Sequence, residues 1–272
     1  MMSSLVLASR TRRGRRNKAC ASRFKRWVVA LTVLTMLALP AATAAAVGHG
    51  GFATIDYPGA VATFAWGINS RGDVVGSYLD SSGIRHGYLL RNGTFGSFDY
   101  PGAAWTEGWG ISPRGDIVGQ YGLPGDNAIH GFLLRNGTFT PIDVPGQPNT
   151  MLVKISPEGT IAGCYHVNNA NGSTNLNTMY GFEMTADGVV TSHPMVRTMN
   201  NGVNPQGDIV GWHSDPATGR ALWSYLLRNG EMTWFQFPGS VVTQAWDISP
   251  TFPEISGRTG FSPVIASKAQ NQ

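Results

Sequence analysis

The sequence predicts an all-β fold, a five-bladed β-propeller made of four-stranded antiparallel blades. Three observations support this prediction. A short motif recurs five times at spacings of 43 to 48 residues, each unit is rich in strand-forming residues, and the two ends of the chain carry complementary parts of one unit. Repeats of about 40 to 50 residues are typical of propeller blades. We therefore expect one domain over residues 47–272.

The recurring motif ends each time in a glycine. Its copies read WGINSRGDVVGSY, WGISPRGDIVGQY, VKISPEGTIAGCY, NGVNPQGDIVGWH and WDISPTFPEISGR, with the shared glycine at Gly76, Gly119, Gly163, Gly211 and Gly257. A longer stretch, HGYLLRNGTFGSFDYPGA at 86–103, is nearly repeated at 130–147. The recurrence indicates that the same supersecondary unit is built several times.

Within the first unit the elements follow in a regular order. FAWGIN is predicted as strand one, SRGD as a turn and VVGSYL as strand two. DSSGI is the next turn and HGYLLR strand three. Asn-Gly then forms a two-residue hairpin turn, because both positions tolerate positive φ, and TFGSFDY is strand four. Four such antiparallel strands make one blade.

The two ends of the repeat array complete one another. GFATIDYPGA at 51–60 copies strand four without strands one to three before it. The last unit supplies strands one and two, and a third in GFSPVIAS, without a fourth. We therefore predict that the N-terminal strand completes the last blade and closes the ring, because closure removes two exposed sheet edges.

The first 46 residues have the pattern of a secretory signal peptide. Nine of the 20 Lys and Arg residues lie between Arg10 and Arg26, followed by an apolar run, Trp27–Leu39, and the small-residue tract AATAAA. The alternative is an uncleaved N-terminal anchor, since Trp27–Ala46 reaches the length of a membrane span. We expect a secreted or periplasmic protein with no stable membrane insertion once the signal is removed.

The charge of the remaining chain excludes one class of partner. Residues 47–272 keep 11 basic side chains against 16 acidic ones, a net charge of about −5. A nucleic-acid-binding protein needs a basic surface, so we expect no nucleic-acid partner. Cys164 is the single cysteine in this part of the chain, so packing rather than an internal disulfide must stabilise the fold. We expect a monomer.

The repeat also resembles a known family. GIN-x-x-G-x-V-V-G followed by His-Gly-Tyr or His-Gly-Phe is similar to the extracellular HAF repeat, with matches at Gly67–Gly76 and His86–Tyr88 and at Gly110–Gly119 and His130–Phe132. The resemblance covers nearly all of 52–258, although the third and fourth units lose the histidine and the middle alanine is Gly or Ser. The resemblance implies a secreted repeat protein with a propeller fold. It does not imply any particular activity.

The innermost strand of each blade supplies the candidate ligand-binding residues. Trp66, Trp109 and Trp246 share one position of strand one. Exposed at a blade rim they could stack on sugar rings, whereas buried they would fill the space between blades. Lys154 and Asp247 occupy the next position. They should lie close to the propeller axis, where their charges either pair or face water.

Several other motifs have a structural explanation. Arg-Gly-Asp occurs at 71–73 and 114–116, where the glycine suits a tight turn better than the motif suits integrin binding. His86 and His130 share a strand-three position. Equivalent positions on different blades do not converge, so we expect hydrogen-bonded packing and no metal site.

Acidic side chains recur just before the strand-four Pro-Gly. Asp56, Asp99 and Asp143 precede the strand-four Pro-Gly, where polar residues protect an edge strand.

The stretch from His166 to Met179 predicts a polar projecting loop in the third unit. Such a loop suits either ligand specificity or a surface insertion without function.

The function we predict is non-catalytic binding of a glycan or a protein partner through the blade loops. A glycosidase needs two carboxylates roughly 5–10 Å apart, and strand-one positions offer only Asp247, with Glu107 just before strand one of the second unit. No catalytic or cofactor-binding motif is present, so we expect no cofactor. The alternatives are a glycosidase-like propeller enzyme and a structural scaffold without a small ligand.

Overall fold

A computed structural model describes residues 53–147, 149–168, 174–214, 221–251, 254–259 and 262–267. The predicted signal peptide, residues 1–46, lies outside these ranges. Within them every regular element is a β-strand. No helix long and apolar enough to cross a membrane occurs in the described part of the chain.

Nineteen strands are formed by the described residues. In chain order they are β1 (Ala62–Ile68), β2 (Val74–Leu79), β3 (Arg85–Arg91), β4 (Thr94–Phe98), β5 (Trp105–Ile111), β6 (Ile117–Gly122), β7 (His130–Arg135), β8 (Thr138–Ile142), β9 (Asn149–Ile155), β10 (Ile161–Asn168), β11 (Thr174–Met184), β12 (Val190–Val196), β13 (Thr198–Val203), β14 (Ile209–Ser214), β15 (Ala221–Arg228), β16 (Glu231–Phe235), β17 (Thr243–Ile248), β18 (Glu254–Thr259) and β19 (Ser262–Ser267).

These strands form five antiparallel sheets in chain order. Four sheets have four strands each, β1 to β4, β5 to β8, β9 to β12 and β13 to β16, and the fifth contains β17, β18 and β19. The first strands of successive sheets pack against one another, which places them innermost. The fold is therefore an all-β propeller with four-stranded antiparallel blades, as the sequence predicts. We number the four complete blades and the fifth sheet in chain order.

The predicted strand at 51–60 is not formed by the described residues of that segment. Residues 53–60 contain no strand, and the fifth sheet has three described strands. Residues 56–60 correspond to 99–103, which lie beyond the end of β4 in the connection to β5. The repeated Asp-Tyr-Pro-Gly therefore marks the connection between blades rather than the strand before it.

A bulge interrupts every innermost strand at the same place. The register with the second strand shifts at residues 66, 109, 153, 201 and 246. The residue after each bulge lies where neighbouring blades meet. A Cβ on Gly110 would approach the carbonyl oxygen of Val153 to 2.7 Å and the Cα of Lys154 to 2.9 Å. Glycine therefore permits this contact between first strands.

Apolar side chains from adjoining blades form the core. Val75 of the first blade packs with Ile117 and Phe132 of the second. Val118 of the second blade packs in the same manner with Leu152 of the third. These side chains are at most 2% exposed, so their burial at the interfaces between blades stabilises the fold through the hydrophobic effect.

The Arg-Gly-Asp turns are structural, because their aspartates are buried in ion pairs. Asp73 is 3% exposed and accepts hydrogen bonds from Arg71 and Arg91. Burial alone would raise its pKa, but hydrogen bonds from Arg91, Asn69 and Arg71 lower the pKa of Asp73 to about 2. Equivalent pairs recur in two further blades, Asp116 with Arg135 and Asp208 with Arg228. The third blade has threonine at both positions, Thr160 and Thr185.

The predicted polar loop of the third blade is largely a β-hairpin. β10 continues to Asn168 and β11 begins at Thr174, so 169–173 alone, outside the described residues, separates the two strands. His166 is buried and pairs in register with Met179. The prediction of a projecting loop from His166 to Met179 was wrong, because strand pairing satisfies the backbone of this polar sequence as well as water does.

Candidate functional site

Two of the predicted tryptophans meet where the first and second blades join. Trp66 and Trp109 stand at the bulges of β1 and β5, and their rings stack with centroids 4.6 Å apart and planes within 7°. Phe64 lies nearly parallel to Trp66 on the same strand, at 6.0 Å. Trp66 is 39% exposed and Phe64 36% exposed. The bulges thus produce a stack of parallel rings that is partly open to solvent.

A buried carboxylate holds this stack in place. Glu107 on β5 is 2% exposed, and its Oε2 accepts hydrogen bonds from the indole nitrogen of Trp109 at 3.2 Å and from Gln120 Nε2 at 2.5 Å. Its Oε1 accepts a bond from Arg85 Nη1, which comes from β3 of the first blade. Three donors, one of them a guanidinium, thus satisfy the two oxygens of this buried side chain. Glu107 therefore fixes the orientation of both Trp109 and Arg85.

Arg85 connects the carboxylate to the exposed rings. Its guanidinium carbon lies 5.7 Å from the ring centroid of Phe64, within the range of a cation–π contact. Trp66 donates from its indole nitrogen to Ser77 Oγ at 3.2 Å. We refer to Phe64, Trp66, Arg85, Glu107, Trp109 and Gln120 as the Trp66 cluster.

The Trp66 cluster combines aromatic, cationic and amide groups. It offers flat aromatic faces beside a half-exposed guanidinium, and the Oε1 of Gln120 is buried without a hydrogen-bond partner among the described residues. Glu107 is the one carboxylate with hydrogen bonds in the described cluster. Glycoside hydrolysis by an acid and a nucleophile or base needs two carboxylates.

The third predicted tryptophan stands apart from the other two. Trp246, at the bulge of β17, is half-buried, and the guanidinium carbon of Arg258 lies 5.3 Å from its ring centroid. Arg258 also donates to Gln244 on the same strand pair. No ring contact within the described ranges joins Trp246 to Trp66 or Trp109. The shared sequence position therefore does not produce one continuous aromatic site.

The two predicted axial charges pair with each other. Lys154 Nζ lies 2.5 Å from Asp247 Oδ2, so the bond connects the first strand of the third blade to that of the fifth sheet. The side chain of Lys154 is 16% exposed and that of Asp247 39% exposed. Each charge neutralises the other, which leaves less of either for a ligand.

The two strand-three histidines are held between carboxylates. His86 contacts Asp99 through Nδ1 at 2.9 Å and Asp80 through Nε2 at 3.5 Å. In the second blade His130 contacts Asp143 at 2.8 Å and Asp126 at 3.3 Å. We call these two arrangements the Asp–His–Asp brackets.

The brackets give Asp99 and Asp143 a specific role that the sequence did not predict. Both nitrogens of each ring are engaged, and no group of three or more His, Cys, Asp or Glu side chains among the described residues is arranged so that it could hold a metal ion. Asp99 and Asp143 therefore orient the histidines from the connections that follow β4 and β8, and not from the edge strands on which the sequence placed them. Burial alone would lower the pKa of His130, but hydrogen bonds to Asp143 and Asp126 raise it above its ordinary value.

Comparison with known proteins identifies no family. No family model matches the chain, and no curated protein matches it. One similar solved structure is the X-ray structure of a protein provisionally assigned as a gluconolactonase, which shares 13% identity over 76% of each chain with a TM-score of 0.47. This likeness is too distant to transfer an activity, and the propeller assignment rests on the sheets described above.

The sequence patterns did not single out three members of the Trp66 cluster, Phe64, Arg85 and Gln120. Phe64 and Gln120 are aligned with different residues in every other unit, and Arg85 comes from a different blade than Glu107. The strand register is the feature that connects the polar members of the cluster, because Glu107 pairs with Gln120 across β5 and β6. Paired residues lie on one face of a sheet, so a charged and an amide side chain at paired inner positions already indicated a polar site.

Proposed function

We propose that this protein is a secreted, non-catalytic propeller that binds a glycan at the Trp66 cluster. The observation that carries the proposal is the pair of solvent-exposed, nearly parallel rings of Phe64 and Trp66, 6.0 Å apart, beside the guanidinium of Arg85. A sugar has an apolar C–H face and a polar rim of hydroxyls. Aromatic rings with an apolar face and an adjacent polar group match both parts.

Each residue of the cluster has a distinct part in this proposal. Trp66 stacks on the C–H face of the sugar, and Arg85 donates hydrogen bonds to its hydroxyls. Trp109 stacks on Trp66 and holds its ring in place, and Glu107 positions Trp109 and Arg85 through its hydrogen bonds. The absence of catalysis follows in this proposal from Glu107, whose oxygens already serve three donors.

We also propose that the propeller has five blades, with the N-terminal segment adding the outer strand of the last one. Its described part contacts the first blade as the connection after the first blade contacts the second. Tyr57 N donates to Thr63 Oγ1 at 2.9 Å, as Tyr100 N donates to Thr106 Oγ1 at 3.0 Å. Gly59 likewise has a φ of 76°. The repeated HAF-like motif supports membership of the HAF-repeat family, and the basic, then apolar pattern of residues 1–46 supports export. We also propose that the protein acts as a monomer.

A glycan array tests the binding proposal directly. The full chain, recovered after export, is compared with Trp66→Ala and with Trp246→Ala, a matched control at the same repeat position in the fifth sheet. We expect Trp66→Ala to lose about tenfold or more in affinity, since a stacking tryptophan contributes over 1 kcal/mol, and Trp246→Ala to bind normally. Near-ultraviolet circular dichroism checks that both variants are folded.

Two results would contradict the proposal. One is a folded Trp66→Ala variant that binds the same glycans as well as the wild-type protein. The other is a wild-type protein that binds no glycan on the array, which would direct the search towards a protein partner.

A further inference from the structure

A second aromatic surface lies at the junction between the third and fourth blades. Met195 from β12 and three residues of the fourth blade, His213, Trp223 and Trp234, line an open groove of about 360 Å³. Trp223 is 44% exposed and Trp234 37% exposed. We refer to these four residues as the Trp223 groove.

The groove exists because one connection between blades is short. Six residues, 99–104, join β4 to β5, whereas Arg197 alone joins β12 to β13. In the longer connection Tyr100 reaches over the second blade and stacks on Tyr121 at 3.6 Å. His213 holds the position of Tyr121 in the fourth blade, and no tyrosine from a preceding connection is available to cover it.

Two substitutions in the fourth blade then line the space with indole rings. Trp223 pairs with His213 as His130 pairs with Tyr121, so the indole replaces the histidine of an Asp–His–Asp bracket. Trp234 occupies the place of Pro141 on the outer strand. The ring of His213 packs edge-on against Trp234, with planes at 82°. Large exposed aromatic side chains grouped in this way are typical of recognition sites.

The lining determines which ligand fits. Two indoles, a thioether and an imidazole carry no carboxylate or ammonium group, so the groove favours a neutral ligand. Flat exposed indoles favour a ligand with an apolar face, and Nδ1 of His213 is buried without a hydrogen-bond partner among the described residues. The volume is at the lower end of the range of about 300–1,000 Å³ for small-molecule sites.

We propose that the Trp223 groove is a second sugar site, which binds a neutral hexopyranoside. The sugar stacks its C–H face on Trp223 or Trp234 and turns its hydroxyl edge towards His213. The site is on a different blade from the Trp66 cluster and shares no residue with it, so it does not depend on that cluster binding anything.

Titration of the full chain with single sugars tests the groove. The probes are methyl β-D-glucopyranoside, methyl β-D-galactopyranoside and methyl α-D-mannopyranoside, followed by saturation-transfer NMR and tryptophan fluorescence. At least one should saturate the protein. Trp223→Ala and Trp234→Ala should each weaken its binding by about tenfold or more, as expected for a stacking residue. Trp246→Ala, at a tryptophan outside both surfaces, should leave binding unchanged.

The conservative variant Trp223→Phe separates stacking from folding. It keeps an aromatic face, so it should retain binding within about fivefold of wild type. The proposal is overturned if none of the three glycosides saturates the wild-type chain, or if folded Trp223→Ala and Trp234→Ala bind them normally. Binding of the apolar dye anilinonaphthalene sulfonate to the groove without sugar binding would also overturn it. Sugar binding that is lost in Trp66→Ala and kept in Trp223→Ala and Trp234→Ala would overturn it too, because the sugar would then be bound at the Trp66 cluster.

Discussion

The junction between the first two blades and the junction between the third and fourth differ in how the connecting chain is used. At the first, six residues cross over the neighbouring blade, and Tyr100 covers Tyr121. At the second, one residue crosses, and His213 is left beside an open groove. The blades themselves keep the same strand order. The comparison shows that a shorter connection can leave an open groove while the strand order of the sheet is kept.

The largest expected difference between the two junctions is in stability. Tyr121 is 4% exposed and stacks on Tyr100, whereas His213 is half-buried at the groove. Tyr121→Ala should lower the free energy of unfolding by about 3–5 kcal/mol, as for other buried aromatic residues. His213→Ala should cost about 1 kcal/mol, the size of one aromatic contact.

Urea unfolding of both variants measures this difference. Near-equal losses would show that the two junctions are packed alike, and that the groove is closed in solution.

A smaller effect is expected in the backbone of the connections. Each connection needs a residue in the left-handed region: Gly102 has a φ of 77°, and Arg197 has a φ of 63°. A Cβ at Gly102 would meet no atom within 4 Å, so Gly102→Ala should cost only the backbone strain, about 1–2 kcal/mol. Thermal unfolding measures the loss, with Gly96→Ala, where φ is not positive, as the control for adding a methyl group in a strand.

The smallest effect is a pH dependence from the His130 bracket of the second blade, which the fourth blade lacks because Trp223 replaces the histidine. His130 has a raised pKa because Asp143 and Asp126 stabilise its charged form. Its contribution to stability is therefore fully present below its ordinary pKa of 6.5 and is lost as the pH rises through the higher value in the folded protein. His130→Gln should flatten this part of the stability profile.

Histidine titration by NMR gives an internal control. Burial lowers the pKa of His193 in the third blade, so its signal should titrate at a lower pH than that of His130. If His130 titrated at or below its ordinary value, the bracket would not hold an imidazolium.

Local patterns predicted the strands well. The predicted strand two of the first unit coincides with β2, Val74–Leu79, and strand three differs from β3 by the single residue Arg85. Alternating apolar residues and Asn-Gly turns contain this information, because they act over a few neighbouring residues. The pairing of Lys154 with Asp247 was one of two outcomes that the sequence left open, since their positions near the axis were known but not their separation.

The candidate sites were less predictable because they depend on contacts between blades. Stacking of Trp66 on Trp109 requires both bulges, and a bulge leaves no residue signature in this sequence. Trp246 has the same repeat position and a different environment, with Arg258 over its ring. The Trp223 groove depends on a deletion in the preceding blade, which becomes visible only when the connections are compared in space.

The bond between Lys154 and Asp247 joins residues 93 positions apart. On the ribosome the third blade emerges well before β17, so Lys154 remains without this partner until the fifth sheet has been synthesised. Contacts over such sequence distances slow folding, because a long loop must close before they form. The ion pair is therefore a late event in the maturation of the chain, and its formation reports that the first strands have assembled around the axis.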